Sequence, residues 1–433
     1  MQDPSPPVSL HARAPARLVN VLLLEPWYGG SHRRFADGLA AHSRHDVRAV
    51  TMAARAGRWR MQGGAVTLAA KAREATGAPA GATAGAHAGG WTPDLIVATD
   101  RVNLPAFLAL TRDRFARVPV LLYLHGNALT RPPRDPDAPR DPAYAVLNVL
   151  SMLAADRVAF NSQFHRDTFF EALPGLFAHF PDDSPAGQMP ALLAKSTVLR
   201  PGVDLAALDA AEPARATAAR GPTVGGSQAG PPVILWNHRR EPDQDPEAFF
   251  RVLNRLDDVG ARFRLSLAGE TPAGTPAGTP AAAPPPAFAD AVRRYAGRVL
   301  HDGVAETFGD YAALLWRSDL VVSTARYELS GLSALEAVHC GCHPLLPDRL
   351  AFPELVPESL RRPLLHAPVL YDSEDDLFAT LRRLLGGADP PLPPDVLRRI
   401  PDALAWPVHV ARFDALFEEM GDGRNGRRPS AAG

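Results

Sequence analysis

The sequence predicts an α/β protein made of two doubly wound, parallel-sheet domains that face one another across a cleft. Three observations carry this. Short, continuously apolar runs such as 18–24, 94–100 and 119–127 end in polar residues, as strands buried on both faces do, because such strands have no polar alternation. Strands alternate with amphipathic helical stretches in two successive series, separated by a segment without an apolar strand. The length, 433 residues, exceeds what one compact core usually holds. In such architectures ligands bind beyond the carboxyl ends of the strands.

Residues 1–17 read as a disordered leader without the apolar centre of a secretory signal. The first domain spans 18–207. It opens with the strand 18–24, a Gly29-Gly30 turn and a helix from about 31, in which Ser31 can serve as the cap. "HDVRAVTM" is the next strand, and a loop and helix follow in "WRMQGGAVTLAAKAREA". The stretch 76–90 is Gly/Ala/Pro low complexity and 131–142 is a proline-broken loop. Helix, strand and helix follow over "LNVLSMLAADRVAFNSQFHRDTFF", and "STVLRPGVDL" closes the domain. Residues 208–230 form the linker. The second domain, 231–420, begins with "PVILWNHRREPDQDPEAFFRVLNRL" and continues with the strand "FRLSLAGE" and a flexible insertion at 271–287. A helix over "FADAVRRYAGRVL", then helix and strand over "YAALLWRSDLVVST", lead to a helix starting near Gly331. "VARFDALFEE" is a closing helix of this domain, and 421–433 is a disordered tail.

Hydrophobic residues make up 46% of the chain and charged residues 21%, a globular balance, and the net charge of -1 gives no global field toward nucleic acid or membrane. Lysine occurs only at Lys71 and Lys195, so arginine supplies the local positive patches. The two cysteines, Cys340 and Cys342, make neither a disulfide framework nor a four-ligand zinc site and fit a reducing, cytoplasmic setting. No apolar run is long enough to span a bilayer. The "DPD" and "DQD" triplets sit in proline-broken loops and read as turn chemistry, so no metal site is expected.

Four segments fall where ligands should bind. "EPWYGGSHRR" follows the first strand, and its glycines allow close backbone approach beside a helix N-terminus that attracts anions; a tight strand-to-helix turn explains it about as well. "YLHGN" puts His125 at a strand end, where it either bonds a substrate hydroxyl or caps local backbone. Arg239 and Arg240 end the first strand of the second series and could clamp a diphosphate or form surface salt bridges. Glu328 and Glu336, eight positions apart, flank the turn Ser330-Gly331-Leu332 at a helix start. Its first-turn N–H groups favour an anion, and each carboxylate can accept two hydroxyls. A nucleoside diphosphate sugar matches that order, with Glu328 on the sugar and Glu336 on the ribose; a helix with an acidic flank is the plainer reading.

Taken together and in order from about residue 18 to 356, the pieces "LLLEPWYGGSHRRFADGLA", "RWRMQGGAVTLA", "ATDRVNLPAFLAL", "LYLHGN", "AADRVAFNSQFHRDTF", "WNHRREPDQDPEAFF", "FRLSLAGE" and "YELSGLSALEAVHCGCHPLLPDRLAFPEL" resemble the tRNA-queuosine α-mannosyltransferase family, retaining glycosyltransferases with the GT-B fold. The resemblance implies a cytoplasmic, retaining, metal-independent enzyme that moves mannose from GDP-mannose to queuosine in tRNA and needs no cofactor. On this reading His125, Glu328 and Arg239 are catalytic. Arg239, Arg240, Ser330, Gly331, Leu332 and Glu336 hold the donor. Tyr28, Gly29, Gly30, Ser31, His32 and Asn127 line the acceptor side. Arg33, Arg34, Arg55, Arg58, Arg60 and Arg166 are candidates for contacts with tRNA phosphates. This chain departs from the family pattern in having Gly126 for an acidic residue, Ala128 for glutamine and Gln244 for a lysine expected at the donor diphosphate. Leu329 and Ser330 also replace aromatic or aliphatic residues. These departures leave two alternatives: a glycosyltransferase with a small-molecule or glycan acceptor, or a sugar-nucleotide-binding protein without catalysis.

Overall fold

The computed structural model describes residues 17–55, 57–77, 91–132, 142–180, 182, 185–212, 230–269 and 286–422. The leader, most of both low-complexity stretches and of the 131–142 loop, most of the linker and the tail lie outside the described residues. Two six-stranded parallel sheets organise the chain, as expected. The first contains β1 (Asn20–Tyr28), β2 (Asp46–Ala53), β3 (Leu95–Thr99), β4 (Val120–Leu124), β5 (Arg157–Phe160) and β6 (Ser196–Val198), in the order β2-β1-β3-β4-β5-β6. The second contains β7 (Val233–Trp236), β8 (Arg264–Ala268), β9 (Val299–Gly303), β10 (Leu320–Val322), β11 (His343–Pro347) and β12 (Leu370–Tyr371), in the order β12-β11-β10-β7-β8-β9.

The apolar runs become central strands because both of their faces are covered. Leu22 and Leu24 of β1 enter the core on one side of the first sheet, while Val21 and Leu23 enter the core on the other. Ile234 and Trp236 of β7 are divided from Leu235 in the same way. Each strand order reverses once. In the first sheet the chain proceeds outward from β1 to β2 and then returns to β3 on the other side, so the switch lies between β1 and β3. In the second it lies between β7 and β10. The crevices that a doubly wound sheet offers to ligands open at these two places.

Two expectations are corrected. The closing helix, Trp406–Asp422, belongs to the first domain and not the second: Trp406, Val410, Phe413, Phe417 and Met420 pack with Val21, Leu23 and Phe35. Asp414 fastens it there by accepting from Ser43 Oγ at 2.6 Å and from the Arg44 N–H at 3.3 Å. Its apolar stripe shows a helix but not which domain the stripe covers. The "FADAVRRYAGRVL" segment is a helix only over Pro286–Arg294; its end belongs to β9, an edge strand paired with β8. At the other crossing, Leu205, expected in the first domain, and Leu208, the first residue of the expected linker, already pack in the second domain's core.

The domains touch through polar contacts around the cleft. The Asn127 N–H donates to Tyr327 Oη at 2.7 Å, and Arg131 pairs with Glu241 at 2.5 Å and Asp243 at 3.2 Å. Glu354 accepts from the first N–H groups of the helix Gln163–Phe177, from Gln163 at 3.0 Å and Phe164 at 2.6 Å, and also pairs with Arg200.

Candidate active site at the two switch points

In the second domain the crevice is built by the residue run after β7 and by the turn that follows β10. Gly331 is the N-cap of the helix Leu332–His339 and has φ +64. A side chain at 331 would meet Leu355 Cδ1 at 2.4 Å, so the turn needs glycine on both conformational and steric grounds. Glu328 does not stand free before this helix. Its Oε1 accepts from the N–H groups of Leu329, Ser330 and Gly331, each at 2.9 Å. The acid-flank reading therefore holds for one oxygen of Glu328, and the anion-favouring positions move to the first helical turn, Leu332–Ala334, which no side chain caps.

Glu336 is 5% exposed and faces the cleft. Its Oε2 accepts from Tyr311 Oη at 2.8 Å, and its Oε1 lies 3.3 Å from Arg34 Nη1 of the opposite domain. Asn237, directly after β7, donates to Tyr311 Oη at 3.2 Å and to the Ser333 carbonyl at 2.8 Å. Burial and the adjacent Glu336 push the Tyr311 phenol well above its ordinary value, so it stays a donor.

The two adjacent arginines part company. Arg239 is half-exposed and pairs with Glu241 and Asp243. Burial lowers its proton affinity, but Asp243, Glu241 and Glu328 more than offset this and hold it above its ordinary value. Arg240 turns inward. It donates to the Leu267 carbonyl at 3.0 Å, pairs with Asp302 at 2.5 Å and lies over the Phe288 ring at 4.4 Å. The structure therefore places Arg239, and not the pair, beside Glu328. Gln244 is buried and donates to the Tyr327 carbonyl at 3.1 Å. His238 lies within electrostatic reach of Glu328; burial pulls its imidazole down to about 4, so it is neutral near pH 7.

In the first domain, Gly29 and Gly30 make the turn after β1. A side chain at Gly29 would meet Ala54 at 2.6 Å, and Gly30 has φ +53. The helix Gly30–His42 takes Gly29 as its N-cap with no side-chain cap, and Ser31 is exposed inside the first turn, so it is not the cap expected from sequence. Tyr28 donates to Asp37 on the flank of this helix. His32 Nδ1 sits 3.1 Å from Glu25 Oε2, and its ring lies 4.1 Å from that of His125. Burial, then His32, His165 and Arg101, hold His125 well below its ordinary value. Glu25, His32 and His125 bring their ligand atoms within 4.8 Å of one another, and among the described residues they form the group that could hold a metal ion. The sequence hid this group because its members come from two distant segments.

Sequence reasoning also missed Asp100 and Arg101 after β3, together with Trp27, Tyr144, His238 and Tyr311. No short motif marks them; only the strand order brings them to the crevices.

Comparisons with known proteins agree with this architecture. Residues 20–203 match the family model for the tRNA-queuosine alpha-mannosyltransferase N-terminal domain. A tRNA-queuosine alpha-mannosyltransferase of Drosophila melanogaster is 27% identical over 345 residues, covering 78% of this chain and 82% of that protein. Among solved structures, sucrose-phosphate synthase from Thermosynechococcus elongatus aligns with a TM-score of 0.64 at 15% identity, over 93% of this chain and 100% of that one. The catalytic domain of starch synthase IV from Arabidopsis thaliana, bound to ADP and acarbose, aligns with a TM-score of 0.62 at 11% identity, over 94% and 100%. These likenesses show the GT-B fold.

Proposed function

We propose that this chain, a glycosyltransferase related to the tRNA-queuosine alpha-mannosyltransferases, transfers mannose from GDP-mannose to queuosine in tRNA with retention of configuration. The observation that carries the reading is the kinship with a queuosine mannosyltransferase across most of both chains, joined to a second-domain crevice whose polar groups follow the order of a sugar nucleotide. Glu336, oriented by Tyr311, accepts the ribose hydroxyls. The uncapped first turn Leu332–Ala334 and Arg239 neutralise the diphosphate as it leaves, which is electrostatic stabilisation of the departing group. Glu328, fixed through one oxygen by three backbone donors, offers the other to the donor sugar. The leaving phosphate takes the proton of the attacking hydroxyl, so no base is needed on the far face of the sugar.

The acceptor then lies over the first domain. Arg58 and Arg60 flank Trp59, which is 57% exposed on the short helix Gly57–Gln62. Exposed indole between arginines suits a nucleic acid, with stacking on the ring and charge on the phosphates. Arg33 is paired with Asp37 and Arg34 with Glu336, so these two serve the tRNA less directly than their sequence position suggests.

The experiment is incubation with GDP-mannose or UDP-glucose, with and without tRNA, followed by mass analysis of tRNA nucleosides from cells with and without the gene. A hexose-bearing queuosine that disappears with the gene is expected. Transfer to a small molecule in its place overturns the acceptor assignment, and preference for UDP-glucose overturns the donor. Binding to tRNA should also weaken steeply with salt; a flat response argues for a small acceptor.

A further inference from the structure

We propose that Glu25, His32 and His125 form an exchangeable site for one zinc ion, which blocks sugar transfer while it is bound. The three residues come from separate elements. Glu25 lies in β1, His32 in the first turn of the helix Gly30–His42, and His125 directly after β4. The turn at Gly29 and Gly30 folds the helix entrance back over the strand, so that His32 Nδ1 stands 3.1 Å from Glu25 Oε2. One ligand atom from each residue lies within 4.8 Å of the other two. A tetrahedral zinc ion about 2.0–2.1 Å from each ligand sets its ligand atoms about 3.4 Å apart. The Glu25–His32 pair is already near that spacing, and a small movement of the His125 ring brings in the third ligand.

A second observation points to a ligand at this place. His125 Nε2 is buried and has no hydrogen-bond partner, an uncommon state for a polar atom in a native protein. The rings of Phe35 and Tyr123, each centred 4.8 Å from that of His125, hold the imidazole in position. Glu25 is oriented too: its Oε1 accepts the Trp27 N–H at 2.7 Å while Oε2 faces His32. Outer contacts of this kind fix ligand geometry and strengthen metal binding. His165 is not a ligand, because its ring nitrogens are taken by Asn161 Oδ1 at 2.7 Å and the Gly126 carbonyl at 3.1 Å. Two imidazoles and one carboxylate favour zinc over magnesium or calcium, which take oxygen ligands. Zinc replaces the proton shared by Glu25 and His32, which passes to solvent, and a water fills the fourth position, as at other three-ligand zinc sites. The His32 side chain is 12% exposed, which gives the ion its way in. Arg101 acts electrostatically on His125 and opposes a second cation, so the ion exchanges with solvent. Occupation ties β1 and its helix to β4 across β3 and takes the His125 ring out of use. The block on transfer therefore rests on His125 serving the reaction; the site itself does not.

The test uses the full chain without an affinity tag, stripped with EDTA and then dialysed against Zn²⁺ or Mg²⁺, with bound metal counted by mass spectrometry. Wild type should take up one zinc per chain and no magnesium, and its thermal midpoint should rise with zinc. Glu25→Gln and His32→Phe should each raise the zinc concentration for half-occupancy by about tenfold or more and remove that rise. No zinc bound to wild type overturns the proposal, and so does zinc bound equally well by both variants, which would place it on other histidines. Where one variant fails to fold, the other decides. In the transfer assay, zinc should stop the wild-type reaction and EDTA should restore it; full activity with the site occupied overturns the block. The metal count needs no sugar transfer, so failure to modify tRNA would remove the proposed function and leave the zinc site standing, and absence of zinc alongside tRNA modification would do the reverse.

Discussion

Arg239 and Arg240 show how far two neighbouring residues can differ in what they do. Adjacent positions at a strand end point to opposite sides, so one guanidinium meets the cleft and the other the domain interior. Arg239→Ala should therefore lower kcat by about 100-fold, the scale of losing one group aimed at developing charge, and leave the denaturation midpoint nearly unmoved. Arg240→Ala should cost about 2–4 kcal/mol of stability, because it strips packing from Phe288 and leaves Asp302 without its partner. Measured together, kcat and urea midpoints separate the two; a large kcat loss without destabilisation at Arg240 would return it to the donor site. Glu336 offers a second residue-scale check. Tyr311→Phe removes the 2.8 Å donor that orients it, so donor KM should rise about 5- to 10-fold, the effect of a bond worth about 1–1.5 kcal/mol. An unchanged donor KM would detach Tyr311 from donor binding. Asn237, Tyr311 and Glu336 lie far apart in sequence, which is why only Glu336 was legible there: it alone sits in a segment with a recognisable order.

At the scale of elements, alternating apolar strands and helices identified the two sheets because burial on both faces leaves that pattern in any sequence. The same logic could not allocate the closing helix. Trp406, Val410, Phe413, Phe417 and Met420 recur at helical spacing, and a stripe of that kind fits any apolar surface. β9, an edge strand with Leu300 half-exposed, lacks the buried-strand signature, so its sequence continues the pattern of the helix before it. The strand β11 carries a titratable group with a calculable consequence. His343 is fully buried, its Nε2 donates to the Pro368 carbonyl at 3.3 Å, and its Nδ1 accepts from the Leu392 N–H at 3.1 Å. These contacts need the neutral ring, and burial pulls its pKa from 6.5 to about 4. A lowered folded-state value means that the unfolded chain binds the proton first. Stability from this group is thus complete above pH 6.5 and is lost as the pH falls toward about 4. The slope should approach 1.4 kcal/mol per pH unit. Urea midpoints of wild type and His343→Phe across that range should show a shallower acid decline in the variant; parallel declines would refute the assignment.

For the whole molecule, the interdomain contacts converge on the residues that precede and follow the chemistry. Tyr327 Oη takes the Asn127 N–H and donates to the Asn127 carbonyl at 3.2 Å, and Tyr327 is the residue before Glu328. One phenol therefore ties the acceptor side, at Asn127, to the proposed donor-sugar carboxylate. Arg131 crosses nearby to Glu241 and Asp243, the same acids that hold Arg239. Closing the two sheets on each other thus sets both crevices at once, and a closed cleft keeps water from the donor. Tyr327→Phe removes the hydroxyl while keeping the ring against Arg131, whose guanidinium lies 5.9 Å from its centre. The Asn127 N–H then loses its partner at the seam, which costs about 1–3 kcal/mol for a buried polar group left unsatisfied, while the Asn127 carbonyl keeps the Arg131 N–H at 3.1 Å. The closed arrangement should be less populated, and water should reach the donor more often. The expected outcome is a fall of about 10-fold in the ratio of sugar transferred to sugar hydrolysed, with the affinity for free nucleotide diphosphate unchanged. Donor consumption and acceptor product, followed in the same reaction, give that ratio directly. A ratio equal to that of wild type would mean that the seam serves only to join the domains.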